Sequence, residues 1–143
     1  MLKLFNTLTG RQDVFEPIEP RKVRMYVCGV TVYDYCHIGH ARSALVFDVL
    51  RRYLEYSRYA VTFVKNFTDV DDKIIKRAHE QGVSCDAVTA KYIQAYHEDM
   101  NRLGIRGATE EPKATEHIAD IIRLTEQLVK KGLAYAVDGD VYF

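Results

Sequence analysis

Apolar and polar residues alternate from Leu2 to Pro20, in "LKLFNTLTGRQDVFEPIEP", around Gly10 and up to Pro17 and Pro20. This pattern predicts a short hairpin or an extended arm. The next run, "KVRMYVCGVTVY" (22–33), is rich in Val and Tyr and predicts a strand buried on both faces, as in a parallel sheet. From Ile38 onward, Ala41, Leu45, Val46, Val49, Leu50, Tyr53 and Leu54 fall on one helical stripe, with Arg42, Asp48, Arg51, Arg52 and Glu55 opposite. "YAVTFVKNF" (59–67) is the second strand, and "TDVDDKIIKRAHEQG" (68–82) has helical period and stops at Gly82. Thr68 and Asp71 have capping-box-like spacing, which makes the Thr68 hydroxyl an N-cap candidate. Asp69, Asp71 and Asp72 read as first-turn acids that match the helix dipole.

The order strand, helix, strand, helix argues for a βαβ unit with a right-handed crossover. A third helix runs from about Cys85 to Leu103, capped by Ser84 and followed by Gly104. "IRGATEEPKAT" (105–115) then shifts composition and carries Pro112, which marks a subdomain boundary. Beyond it, Ile118, Ile121, Ile122, Thr125 and Leu128 line a fourth helix that Gly132 ends. Asp138-Gly139 between two β-rich runs signals a closing hairpin. The expected fold class is α/β: residues 1–111 form the first half of a Rossmann-like parallel sheet, and 112–143 the start of an inserted α+β subdomain.

Composition narrows the picture. Basic and acidic residues balance at 20 each, so a globally basic nucleic-acid glove is not indicated, although a local patch stays open. Three cysteines, Cys28, Cys36 and Cys85, cannot all pair within the chain. With no secretory h-region and no apolar run long enough to span a bilayer, the expectation is a reduced, cytoplasmic protein that does not enter a membrane.

The chemistry concentrates at the handover from the first long strand to the first long helix, in His37-Ile38-Gly39-His40. In open α/β sheets, ligands bind beyond the carboxyl ends of the strands, close to helix N-termini. There, unpaired N–H groups and the dipole suit a phosphate. Gly39 removes a side chain, so a flat ring or phosphate can approach the backbone. His37 and His40 are three apart and can project from one face of the first turn, donating hydrogen bonds to a negatively charged transition state. A His-x-x-His pair is equally compatible with an ordinary polar helix end, or with half of a metal site. Cys28 by itself reads as a buried structural thiol. His79, His97 and His117 sit among charged residues on helix faces and carry no assigned role.

"HIGH" at 37–40 matches the signature of class I aminoacyl-tRNA synthetases, and "YVCGVTVYDYCHIGHARS" (26–43) closely resembles the cysteinyl-tRNA synthetases. "NFTDVDDKIIKRA" (66–78) and "DGDVYF" (138–143) resemble the same family, in the same order. The resemblance implies ATP-dependent activation of L-cysteine to cysteinyl-adenylate and its transfer to tRNA(Cys). It implies His37 and His40 as catalytic residues, and His37, Gly39 and His40 as the ATP contacts. Cys28, Gly29, Thr31 and Thr68 fall on the amino-acid side, with Cys28 also the first zinc ligand. Cys36 and Cys85 match no zinc position. The implied cofactors are zinc, one per subunit with its remaining ligands outside this chain, and ATP with magnesium as substrate; the intact enzyme is expected to be a monomer.

Val30 departs from the family pattern, which often has proline there. The family's remaining zinc ligands, its "KMSKS" loop and its anticodon-binding domain lie downstream of anything in these residues. The chain is therefore expected to be an N-terminal portion with little or no ligase activity alone. Two other readings stand beside this one: a paralogous ligase joining cysteine to an amino-sugar, and a non-catalytic nucleotide-binding module.

Overall fold

Two parallel strands, β3 (Lys22–Thr31) and β4 (Ala60–Thr68), are joined by the long helix α1 (Ile38–Tyr56) and form the centre of the protein. The structure is a computed structural model and describes residues 2–143. Ahead of this unit, β1 (Lys3–Asn6) and β2 (Arg11–Val14) pair antiparallel as the hairpin that alternation around Gly10 predicts. After it come α2 (Asp72–Gln81) and α3 (Cys85–Arg102), then a 3-10 turn (Ala114–His117), α4 (Ile118–Lys130) and the hairpin β5 (Tyr135–Val137)–β6 (Asp140–Tyr142).

The core lies on one side of the sheet. Val32 and Phe67 pack with Ile74 and Ala78 of α2 and with Val88, Tyr92, Tyr96 and Met100 of α3. The spacing of those α3 residues turns one face inward, and Ser84 starts the helix by accepting from Ala87 N–H at 3.2 Å.

The chain then returns to the sheet. Thr109 N–H donates to the Phe63 carbonyl at 2.7 Å, Lys65 N–H to Glu110 at 3.0 Å and Phe67 N–H to Pro112 at 2.9 Å. Residues 109–113 thus run parallel to β4 along its free edge. Pro112 suits an edge, because it offers only its carbonyl to the ladder.

Four sequence expectations need correction. β3 is not buried on both faces: Val23 and Val27 are buried, whereas Arg24, Tyr26 and Cys28 between and after them are exposed, the alternation of a strand covered on one side. Most of the apolar stripe of α1 is not its packed face: Leu45, Val46, Val49 and Tyr53 are exposed, Leu54 alone of the stripe is buried, and Ala44 and Asp48 off the stripe are buried with it. Asp48, only 4% exposed, is compensated by Arg52 at 2.7 Å and Arg106 at 3.7 Å, anchoring α1 to the loop after α3. Thr68 is not the cap of α2; Asp71 is, its carboxylate accepting from Lys73 N–H at 2.9 Å. Asp69 is no first-turn acid either. It is buried and accepts from the Thr115 N–H and hydroxyl, tying the end of β4 to the 3-10 turn.

Candidate active site

The end of β3 is irregular where the sequence places its candidate substrate residues. Val27 pairs with Lys65 and Val30 with Phe67, so Cys28 and Gly29 together face Asn66 alone. This is a β-bulge, with one extra residue on β3. Glycine is required within it, because a Cβ on Gly29 would lie 1.4 Å from the Asn66 carbonyl oxygen. The Asn66 side chain closes the bulge: Oδ1 accepts from Gly29 N–H at 2.8 Å and from the Tyr26 hydroxyl at 2.9 Å, while Nδ2 donates to Thr68 Oγ1 at 3.5 Å. Beyond the bulge, Thr31 pairs with Thr68, and the Thr68 carbonyl accepts from Val32 N–H at 3.2 Å. Cys28, Gly29, Thr31 and Thr68 are thereby gathered at the carboxyl ends of the two parallel strands.

After the Val32–Cys36 connection, the histidines take up the start of α1. His37 is its N-cap, with Nδ1 accepting from Gly39 N–H at 3.0 Å, and His40 reciprocates, its Nδ1 accepting from His37 N–H at 3.2 Å. The ring centroids are 4.0 Å apart. Both halves of the polar-helix-end reading are therefore real, but they do not exhaust the residues. A ring nitrogen that accepts has no proton, so the neutral ring carries it on Nε2, facing away from the turn it caps. Burial, with smaller effects from His37 and Lys65, holds the His40 imidazole below its ordinary value and favours this neutral donor form. Gly39 has a second task beyond leaving the backbone open, because a Cβ there would lie 2.8 Å from His37 Cε1 and push the capping ring aside.

Both groups sit where α/β sheets hold ligands, at the carboxyl ends of the strands and the head of the following helix. Nδ1 atoms hold the turn, and Nε2–H groups are left to donate. Gly39 N–H donates to His37 Nδ1 and His40 N–H to the His37 carbonyl, so the Nε2–H groups at the positive end of the helix are what this arrangement offers to bind and stabilise a phosphate-like anion.

Among the described residues, no group of three or more His, Cys, Asp or Glu side chains is placed to hold a metal ion. Cys28 is exposed on the bulge, so the buried-thiol reading fails. Its thiolate fits zinc as one ligand of a larger set and does not make a site by itself. Cys36 is half-buried against the core, and burial pushes its thiol up, which suits a structural role. His97 pairs with Glu111 at 3.3 Å and His117 with Asp120 at 3.0 Å.

Sequence reasoning missed two residues of the neighbourhood. Asn66 was visible only as a residue of low strand propensity inside a strand, which is a weak signal. Lys65 is buried and donates to the Tyr96 hydroxyl, with burial lowering the lysine and raising Tyr96 to about 12. A charged residue in the middle of an apolar strand was the available sign of it.

The model of the tRNA synthetases class I (C) catalytic domain matches residues 14–143. The chain belongs to that family. Its curated relatives include the cysteine–tRNA ligases of Syntrophotalea carbinolica, 58% identical over 99% of this chain and 30% of that protein, and of Pelobacter propionicus, 59% identical over 99% and 29%. That of a Cyanothece species is 60% identical over 99% of this chain and 29% of its own length. The chain thus spans about 30% of the length of the curated relatives it matches.

Solved class I synthetases share the fold. Mycobacterium tuberculosis methionyl-tRNA synthetase in complex with methionyl-adenylate superposes with a TM-score of 0.73 at 19% identity, over 80% of this chain and 23% of that one. The Agrobacterium radiobacter LeuRS–tRNA–LeuAMS complex gives 0.69 at 24% identity, over 84% of this chain and 16% of that one. Membership in the class I (C) family agrees with the α/β, Rossmann-like expectation. No described helix is long and apolar enough to cross a membrane.

Proposed function

We infer that this chain is the front part of a cysteine–tRNA ligase that activates L-cysteine with ATP and then esterifies tRNA(Cys). The observation that carries the reading is the reciprocal capping of His37 and His40 at the carboxyl edge of the sheet, in a chain 58% identical to a protein named cysteine–tRNA ligase. In this reading ATP, as its magnesium complex, lies over Gly39 with its α-phosphate at the head of α1. The two Nε2–H groups donate to the negative charge that develops when the cysteine carboxylate attacks that phosphorus and pyrophosphate leaves. Neither histidine needs to gain or lose a proton.

Gly29, Thr31 and Thr68 line the amino-acid side, where a backbone without side chain and two hydroxyls can meet the ammonium and carboxylate. Cys28 would serve as one zinc ligand, and zinc bound there would coordinate the substrate thiol and favour cysteine over serine. Residues 112–143 read as the start of an inserted subdomain, a view supported by the absence of buried residues in α4, β5 and β6. The intact enzyme is read as a monomer, and three free cysteines suit a reducing cytoplasm.

The test is charging by the full-length protein that carries this chain. Labelled cysteine should become acid-precipitable with tRNA and should not be transferred to an amino-sugar. Transfer to the amino-sugar instead would identify a different ligase.

A further inference from the structure

We propose that Asn66 is the positioning residue of the amino-acid side of the site: its carboxamide sets the Cys28–Gly29 bulge and orients the Thr68 hydroxyl at the same time. The proposal rests on the functional reading above and assigns a role to a residue that does not itself touch substrate.

The argument begins with the bulge. An extra residue in a strand leaves backbone groups out of register, and Gly29 N–H is such a group. It finds its acceptor in Asn66 Oδ1 at 2.8 Å, a side-chain atom standing in for a ladder carbonyl. The second lone pair of the same oxygen takes the Tyr26 hydroxyl at 2.9 Å, on the residue two before Cys28. One oxygen thus grips β3 on both sides of Cys28. The amide nitrogen, fixed by that grip, points along β4 to Thr68 Oγ1 at 3.5 Å. A hydroxyl that accepts from an amide keeps its own proton free to donate outward.

Three of the four candidate substrate residues, Cys28, Gly29 and Thr68, therefore depend on one side chain. No other residue type reproduces it. Aspartate keeps the acceptor and lacks the donor; alanine lacks both. Glutamine carries both on a stem one methylene longer, which displaces the carboxamide from Gly29 N–H and Thr68 Oγ1.

The test uses the full-length protein with Asn66→Ala and Asn66→Asp, followed by residue-resolved hydrogen exchange, thiol alkylation and cysteine-dependent ATP–pyrophosphate exchange. Asn66→Ala should speed exchange of the Gly29 amide about tenfold and change the alkylation rate of Cys28 relative to Cys85 severalfold. It should raise KM for cysteine about tenfold while KM for ATP stays within about twofold. Asn66→Asp, which retains the acceptor, should restore Gly29 protection and keep the raised KM for cysteine. Should the alanine variant not fold, the aspartate variant still decides: an unchanged KM for cysteine overturns the role of the Thr68 contact. Unchanged Gly29 protection in a folded alanine variant, or equal rises in the two KM values, overturns the proposal as a whole. If the unsubstituted protein shows no cysteine-dependent exchange, the functional reading falls and takes the substrate half of the proposal with it. The Gly29 and Cys28 readouts still judge the bulge separately.

Discussion

His37 and His40 together close the first turn of α1, each using Nδ1 to accept a backbone N–H, at 3.0 Å from Gly39 and 3.2 Å from His37. One nitrogen of each ring builds the helix end and the other is left for chemistry. Structure and function can therefore be separated by substitution.

His37→Asn retains an acceptor near the Nδ1 position and loses the Nε2 donor. We expect His37→Ala to lose about 1 kcal/mol of stability and His37→Asn to lose less than about half of that, measured by urea unfolding. Both should lower the rate of cysteine-dependent ATP–pyrophosphate exchange by about 100- to 1,000-fold. An asparagine variant as active as the original protein would remove His37 from the chemistry.

The pH dependence follows from His40. Burial holds its imidazole below the ordinary value, so the folded protein stays neutral there while the unfolded chain takes up a proton below about pH 6.5. The unfolded state then binds more protons, and stability falls as pH falls from that value through the folded one. Urea midpoints at pH 7.5 and 5.5 should differ more for the original protein than for His40→Asn. Equal differences would contradict the capping role of neutral His40.

Gly29→Ala places a Cβ where the Asn66 carbonyl oxygen already lies, so β3 and β4 must separate at the bulge. We expect a loss of about 1–3 kcal/mol in chemical denaturation, typical of overpacking. A loss below about 0.5 kcal/mol would mean that the bulge relaxes easily.

Asp48→Asn tests the link between α1 and the loop after α3. The carboxylate is buried, but Arg52 and Arg106 are about half exposed and can be rehydrated, so the cost should be about 1–3 kcal/mol. Thermal unfolding with and without the substitution measures it.

These residues also show what a sequence reveals and what it hides. The β3–α1–β4–α2 order was legible because a Val- and Tyr-rich run, a helical period and a stop at Gly82 are all local signals. So were the 37–40 motif and its place at a strand-to-helix handover. The burial of α1 was not legible: periodicity reports that Leu45, Val46, Val49 and Tyr53 share a face, and says nothing of which surface meets it. Asp48 looked solvent-facing because one of its two compensating partners, Arg106, is 58 residues away and the loop that carries it covers the carboxylate only in the fold. Thr68 reads as the N-cap candidate and Asp71 as a first-turn acid, whereas Asp71 is the cap, and the difference depends on where β4 ends. The bulge was hidden for a similar reason, because it exists only in the register of β3 against β4, a non-local property.

The measurement that bears most directly on the central claim is amino-acid-dependent ATP–pyrophosphate exchange by the full-length protein, with cysteine and serine compared at equal concentration. The account predicts exchange with cysteine and at least about 100-fold less with serine, as direct thiol recognition requires. Equal exchange with both amino acids, or none with cysteine, would contradict it.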